Sequence, residues 1–250
     1  MPASSTNQQR LYHDLAWVWP IISPPEHYLE ETEYFCKVIR EHSRIEVKSI
    51  LHLGCGGGHN DHYLQRHFAV TGVDTSEAML GLAGQLNPEV TYLLGDMRSV
   101  RLEKTFDSVA LLDSVCYMLT TNDLLAAFAT AFEHLKPGGV LLTTPDFTKE
   151  SFRHNKTSCS AHSKADIEIT FVENNYDPDP TDTTYETTFV YLIRREGALE
   201  IETDHHLCGI FPSRTWRRLL KRSGFEVKQS EFKATDTEPG TYPLFIGIKQ

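Results

Sequence analysis

The plainest chemistry in this chain of 250 residues lies in ILHLGCGGGHN, residues 50–60, where four glycines occupy five positions directly after an apolar run. A loop of this kind, leading from the end of a strand into the start of a helix, is a place where a ligand touches backbone. Only residues without Cβ allow that approach, and they also accept the positive φ such a turn requires. Asp74 stands 20 residues beyond Gly54, at the end of the next apolar run. That is the distance at which an acid meets the ribose hydroxyls of a bound nucleotide or nucleoside. The nicotinamide pattern G-x-G-x-x-G is not met, because His59 stands where its third glycine belongs.

Candidates for proton transfer lie far from that loop. DHHLCGIF puts His205 and His206 at adjacent positions of an expected strand, so only one can face a crevice. Histidine titrates near neutral pH and is the default base there. Two half-exposed strand histidines without chemistry are the alternative. His59, Asp61, His62 and His67 fall near one another, but no tetrahedral ligand set follows, and they read as helix polarity rather than a metal site. No G-x-S-x-G elbow is present for a serine nucleophile. The five cysteines form no C-x-x-C pair, so neither a disulfide framework nor a thiolate zinc site is expected.

Alternating elements must hold these residues. SILHLG (49–54), AVTGVD (69–74), VTYLLGD (90–96), DSVALLDS (107–114) and GVLLTTPD (139–146) read as buried strands. Between them lie helical patterns: NDHYLQRHF, SEAMLGLAGQL capped by Ser76, and NDLLAAFATAFEHLKPGG with Asn122 at its start and Pro137-Gly138-Gly139 at its end. Such βα alternation builds a doubly wound, mostly parallel sheet whose ligand crevice lies beyond the carboxyl ends of the strands. After Asp146 the pattern becomes an antiparallel meander of about three strands. A helix with Ser213 as its cap and a closing hairpin follow. The expected organisation is an N-terminal lid and covering helix (1–46), a cofactor-binding core (47–146), an antiparallel β insertion (147–211) and the end of the core (212–250). Tyr28, Phe35, Val38 and Ile39 are the expected packing face of the covering helix.

Composition narrows the function. A net charge of −10 argues against nucleic acid, and RTWRRLLKR (214–222) has the spacing of a solvated helix face. No apolar run approaches the roughly 18–20 residues that cross a bilayer, and the first ten residues lack the apolar stretch of a signal peptide. A cytoplasmic protein is expected.

LGCGGGH, VTGVDTSEAML, LLGDMRSV, FDSVALLDSVCYMLT and LKPGGVLLTTPDF, in that order, resemble the class I S-adenosylmethionine-dependent methyltransferases. The likeness covers residues 47–146 well and the final segment more loosely. Within that family the chain is most similar to small-molecule enzymes with an antiparallel insertion after the fifth strand, such as the amino-sugar N,N-dimethyltransferases. The resemblance implies a Rossmann-like seven-stranded sheet with S-adenosylmethionine as cofactor. It also implies methyl transfer to N or O of a small metabolite, the alternative being a noncatalytic cofactor- or partner-binding protein of the same fold.

By the same resemblance Gly54, Cys55 and Gly56 line the methionine part of the cofactor and Asp74 takes the ribose. Asp96 with Met97 meets the adenine edge, and Leu112 with Asp113 closes the pocket beneath the sulfonium. Thr75 and Met79 complete the set, and Tyr12, ahead of Trp17 and Trp19, offers an aromatic face from the lid. His205 is the favoured base, Tyr117 and Arg153 are expected to orient the acceptor, and no metal is implied. The family usually carries an acid two residues before the first glycine, where this chain has His52; Asp113 or a backbone carbonyl is expected to take over its contact with the cofactor's ammonium group. The acceptor is expected to be a small molecule, with no nucleic acid or membrane partner, and the exposed edge of the meander offers a route to a homodimer.

Overall fold

The structure, a computed structural model, describes residues 9–233 and 242–250. The first eight residues of the expected lid lie outside the described residues. A single turn, α1 (Trp19–Ile22), and a 14-residue helix, α2 (Leu29–His42), precede the core. The core then alternates β1 (Ser49–Leu53), α3 (His59–Leu64), β2 (Ala69–Asp74), α4 (Glu77–Leu86), β3 (Thr91–Leu94), β4 (Phe106–Leu112), α5 (Thr121–His134) and β5 (Leu135–Thr144). Four long strands follow, β6 (Lys156–Lys164), β7 (Ile167–Tyr176), β8 (Thr184–Arg195) and β9 (Ala198–Gly209), and then α6 (Ser213–Arg222), β10 (Phe225–Phe232) and β11 (Tyr242–Lys249).

One sheet has the order β10-β11-β5-β4-β1-β2-β3 and the other β6-β7-β8-β9. In the first, β11 runs antiparallel to both neighbours and the remaining pairs are parallel. Chain order reverses between β1 and β4, and a crevice opens there beyond the strand ends. Successive residues of a strand point to opposite faces, and both faces are buried. Leu51 and Leu53 pack with Leu124 and Phe128 of α5 and Trp216 of α6. Ile50 and Leu142 pack with Phe35, Val38 and Ile39 of α2 and with Leu64 of α3. Tyr28 precedes α2 and bonds Ser23 Oγ at 2.8 Å instead of joining that face.

Several boundaries differ from the sequence reading for local reasons. Ser76 caps α4 as expected, accepting from Met79 N. In α5 the cap is Thr120, in a reciprocal box with Asp123, rather than Asn122. The helix stops at His134, and the Pro137-Gly138-Gly139 turn signal falls inside β5, at a register shift opposite Phe106 and Ser108. Ser213 is the first residue of α6 and caps nothing; its N–H and hydroxyl donate to the carboxylate of Glu150 at 3.0 and 3.1 Å. The meander has four strands: β6, in KTSCSAHSK, is exposed along nearly all its length and so shows no alternation by which to recognise it.

The second sheet lays one face over the crevice. Leu11, Leu15, Ile21 and Ile22 fill the gap between its Ile169, Tyr191 and Ile193 and Met79 of α4. Two backbone anchors fix this N-terminal segment: Gln9 N donates to His205 O at 3.1 Å, and Leu11 N to Asp204 Oδ2 at 2.7 Å.

Candidate functional site

The loop after β1 is shaped for contact with a ligand. Gly54 has φ +78°, and a Cβ there would lie 2.0 Å from Ser114 Oγ, so both conformation and space demand glycine. Gly56 has φ +52°, and a Cβ there would meet nothing within 4 Å; it borders open space. Asp74, at the end of β2, fastens the loop. Its Oδ2 accepts from Gly56 N at 2.8 Å and its Oδ1 from Ser76 N at 2.9 Å, which ties the glycines to the first turn of α4.

This loop opens on a cavity of about 890 Å³, spacious enough for a cofactor and a small acceptor together. Gly54, Cys55 and Gly56 line it from the loop, Asp74, Thr75 and Met79 from the end of β2 and α4, and Asp96 and Met97 from the turn after β3. Leu112 and Asp113 line it from the end of β4 and Tyr12 from the N-terminal segment. The structure thus brings all the residues expected at the cofactor into one cavity. The Asp96 carboxylate is held by Arg98, Nη2 to Oδ2 at 2.6 Å, and this bond lowers its pKa. Asp113 has φ 44° and ψ −59°, a conformation costing a non-glycine residue of order 1–3 kcal/mol and typical of functional sites.

Alternation along the second sheet builds the opposite wall: Phe171, Glu173 and Asn175 of β7, Tyr185, Thr187 and Phe189 of β8, and His206 and Cys208 of β9. The register pairs Thr187 with His206 and Thr188 with His205. His206 therefore faces the cavity and His205 does not; the latter bonds Thr188 Oγ1 at 3.1 Å. This corrects the choice of His205, and the exposed Leu207 explains the difficulty, since an apolar residue on the outer face disguised the alternation. Arg153 is exposed and lies outside the cavity lining, a second correction, whereas Tyr117 lines it. Trp19 lines it too and stacks on His59, with ring centroids 5.8 Å apart, while Trp17 packs beneath Arg195.

A chain of hydrogen bonds runs across this wall. Asp204 Oδ2 meets His206 Nε2 at 2.7 Å, His206 Nδ1 meets the Tyr117 hydroxyl at 2.6 Å, and that hydroxyl meets Tyr12's at 2.8 Å. Burial pushes the Asp204 carboxyl up, but the bonds from His206 and from backbone N–H groups outweigh it and hold the pKa low. A carboxylate only accepts, so Nε2 carries its hydrogen toward Asp204, and in the neutral imidazole Nδ1 accepts from Tyr117. Tyr12 then donates to the Tyr117 oxygen, and the Tyr12 oxygen keeps lone pairs at the cavity end of the chain.

Further carboxyls line the same cavity. Burial raises Glu31 to about 9, Asp146 to about 8 and Asp113 to about 6; Asp113 also raises the first two by its own charge. Asp113 lines the cavity and is exposed there, yet the elements packed around it desolvate its carboxyl. His52 is 2% exposed and donates from Nδ1 to Asp61 Oδ1 at 2.7 Å. The other members of the presumed polar helix face part company: His62 bonds Asn87 and His67 bonds Glu33. Glu31, Asp61, Asp204 and His206 went unremarked or unfavoured in the sequence. Only Asp204 and His206 left a signal there, their spacing of two on one strand.

The glycine cradle, the open space at Gly56 and the carboxyls of Glu31, Asp113 and Asp146, which have no ion-pair partner among the described residues, suit a nucleoside cofactor bearing positive charge. Comparison with known proteins bears on the same point. Residues 50–139 match the family model described as Methyltransferase domain. A dTDP-3-amino-3,4,6-trideoxy-alpha-D-glucopyranose N,N-dimethyltransferase of Streptomyces venezuelae is 28% identical over 223 residues, covering 88% of this chain and 91% of the relative. A candidate methyltransferase of Bacillus subtilis, YqeM, is 30% identical over 207 residues, covering 80% and 82%. Among solved structures, DesVI of Streptomyces venezuelae superposes with a TM-score of 0.82 at 25% identity, covering 96% of this chain and 97% of that one. The fold, the loop and the relatives agree, and the chain belongs to the S-adenosylmethionine-dependent methyltransferases.

Proposed function

We propose that this enzyme methylates the amino nitrogen of a small sugar-like metabolite. The observation that carries the proposal is the acidic lining of the acceptor half of the cavity, where Asp146 and Glu173 face the space between the sheets. An amine acceptor suits such a wall, because its N–H groups find acceptors there and its proton a carboxyl to receive it. The Streptomyces venezuelae relative named for amino-sugar N,N-dimethylation supports the same reading.

When bound, S-adenosylmethionine supplies an electrophilic methyl group on a sulfonium and departs as a neutral thioether. The protein's task is to present the acceptor in line with that methyl group, and positioning alone accounts for a large part of such catalysis. Gly54, Cys55, Gly56, Asp74, Thr75, Asp96 and Met97 would fix the cofactor, and Met79, Leu112, Asp113 and Tyr12 would close around it. Tyr117, Phe147, Phe171 and Tyr185 wall the acceptor and exclude water. An amino nitrogen must also give up a proton when it is methylated. Asp146, raised to about 8 by burial, is a carboxyl matched to that task at neutral pH. The Tyr12, Tyr117 and His206 chain offers a second acceptor, with His206 in the role expected of His205. No helix among the described residues is long and apolar enough to cross a membrane. A cytoplasmic location, the absence of a nucleic-acid partner and a homodimer through the exposed edge of β6 belong to the same proposal, supported by charge and by that free edge.

The test is mass spectrometry of products from a panel of nucleotide-linked sugars offered with S-adenosylmethionine, each amino sugar beside its hydroxyl counterpart. Methylation confined to the amines is the expected result. Transfer to the hydroxyl compounds alone would overturn the assignment to nitrogen.

A further inference from the structure

β1 places an imidazole where the resembling enzymes carry an acid, and the surroundings of His52 show what replaces that acid. Asp61 is fully buried and only accepts, so His52 Nδ1 carries the hydrogen between them, and in the neutral imidazole Nε2 then holds a lone pair. His52 lines the cavity, and its buried Nε2 has no hydrogen-bond partner among the described residues. A buried polar atom without a partner costs about 1–3 kcal/mol, so it calls for a donor.

Two carboxyls border the same corner. Glu31 reaches the cavity from α2, steadied by Asn60 Nδ2 of α3 at 3.0 Å, and Asp113 reaches it from the end of β4. Among the described residues neither has an ion-pair partner within 4.0 Å. The two interact electrostatically with each other. Three acceptors from three different elements therefore border one corner beside the glycine loop, and a primary ammonium has three N–H donors to offer.

We propose that Glu31, Asp113 and His52 Nε2 together seat the α-ammonium of the cofactor's methionine half, so that in this chain the covering helix supplies the carboxylate that β1 lacks. Asp61 is a positioning residue: it fixes the imidazole tautomer that leaves Nε2 free to accept. The proposal rests on the reading of the cavity as a cofactor site, and the experiment separates the two. Calorimetric titration of the full chain would use S-adenosylhomocysteine and its deamino analogue, which keeps the nucleoside and the carboxylate but lacks the ammonium. Wild type is expected to bind the parent at least about 10-fold more tightly than the analogue. Glu31→Gln and, separately, Asp113→Asn should each weaken the parent about 10-fold and leave the analogue within about twofold.

Equal weakening of both ligands would overturn the ammonium seat while leaving the cofactor reading intact, as would parent binding unchanged in both variants. A wild type that binds neither ligand would overturn the cofactor reading, and the seat with it. Using two variants on different elements guards against a local folding defect in either, and thermal melts of each report such a defect directly.

Discussion

The two halves of the cavity are made by different means. On the core side the essential features belong to the backbone: a glycine loop held open, and Asp74 receiving N–H groups on both sides. On the side of the inserted sheet the features belong to side chains, chosen by alternation along three long strands. A backbone feature tolerates changes in its neighbours, whereas a shift of one residue in a strand turns every side chain to the other face. The core half therefore conforms to a pattern shared by many proteins, and the inserted half is where an acceptor can be selected without disturbing the cofactor.

The largest effect that would test this division is at Asp74. Asp74→Ala removes two charge-assisted bonds, each worth about 1.5–3 kcal/mol, and is expected to weaken S-adenosylhomocysteine about 100-fold or more by calorimetry. If affinity falls less than about fivefold, the loop does not depend on this carboxylate and the contrast between the halves fails.

The next effect lies in the inserted half. Tyr117→Phe breaks the chain at its centre and His206→Ala removes its link to Asp204; each should lower kcat about 10-fold or more and leave cofactor affinity within about twofold. His205→Ala, on the outer face, is expected to change kcat by less than about twofold. Steady-state kinetics with direct cofactor titration checks both. A variant that loses cofactor affinity along with turnover would show the halves to be mechanically joined.

These contrasts also explain what was legible in the sequence. The parallel core and its cofactor corner could be read because glycine spacing, strand-end acids and βα alternation are local signals. His206 could not be separated from His205, because the register of β9 is set by its pairing with β8 and not by its own residues. β6 escaped notice because a strand exposed along its length carries no periodicity. Glu31 sits on a helix read only for its apolar face, and nothing within 20 residues of it in sequence points to Asp113 or His52. The cap of α6 is of the same kind, for Glu150 lies 63 residues away from Ser213.

A smaller effect is carried by pH. Burial raises the carboxyls of Glu31 and Asp146 above their unfolded values, to about 9 and about 8. An acid with a raised pKa is favoured by the folded state when protonated. Its contribution is present below the unfolded value and is lost as pH rises through the folded one. The ligand-free protein should therefore lose thermal stability between pH 7 and pH 9.5, and Glu31→Gln should make that slope shallower. Melting curves across the range check the sign; a stability that rises with pH would mean that neither carboxyl is desolvated in solution.

The smallest effect lies at the junction of the two halves. Glu150 lies between β5 and β6, yet its carboxylate receives the N–H and the hydroxyl of Ser213, the first residue of a helix that packs back on the core. Burial tends to raise its pKa, but the bonds from Ser213 prevail and lower it. The stabilisation is thus present above the usual carboxylate range and disappears as pH falls through the depressed value. Loss of a helix cap costs about 0.5–2 kcal/mol. Glu150→Ala is expected to lower unfolding free energy within that range at pH 7, measured by urea denaturation, and to cost less as pH falls through the depressed pKa and the wild-type carboxyl takes up its proton. Cofactor affinity and kcat should stay within about twofold, because Glu150 is absent from the cavity lining. A large loss of kcat with an unchanged unfolding midpoint would show that this cap holds the insertion in register over the site, which would make the two halves one device rather than two.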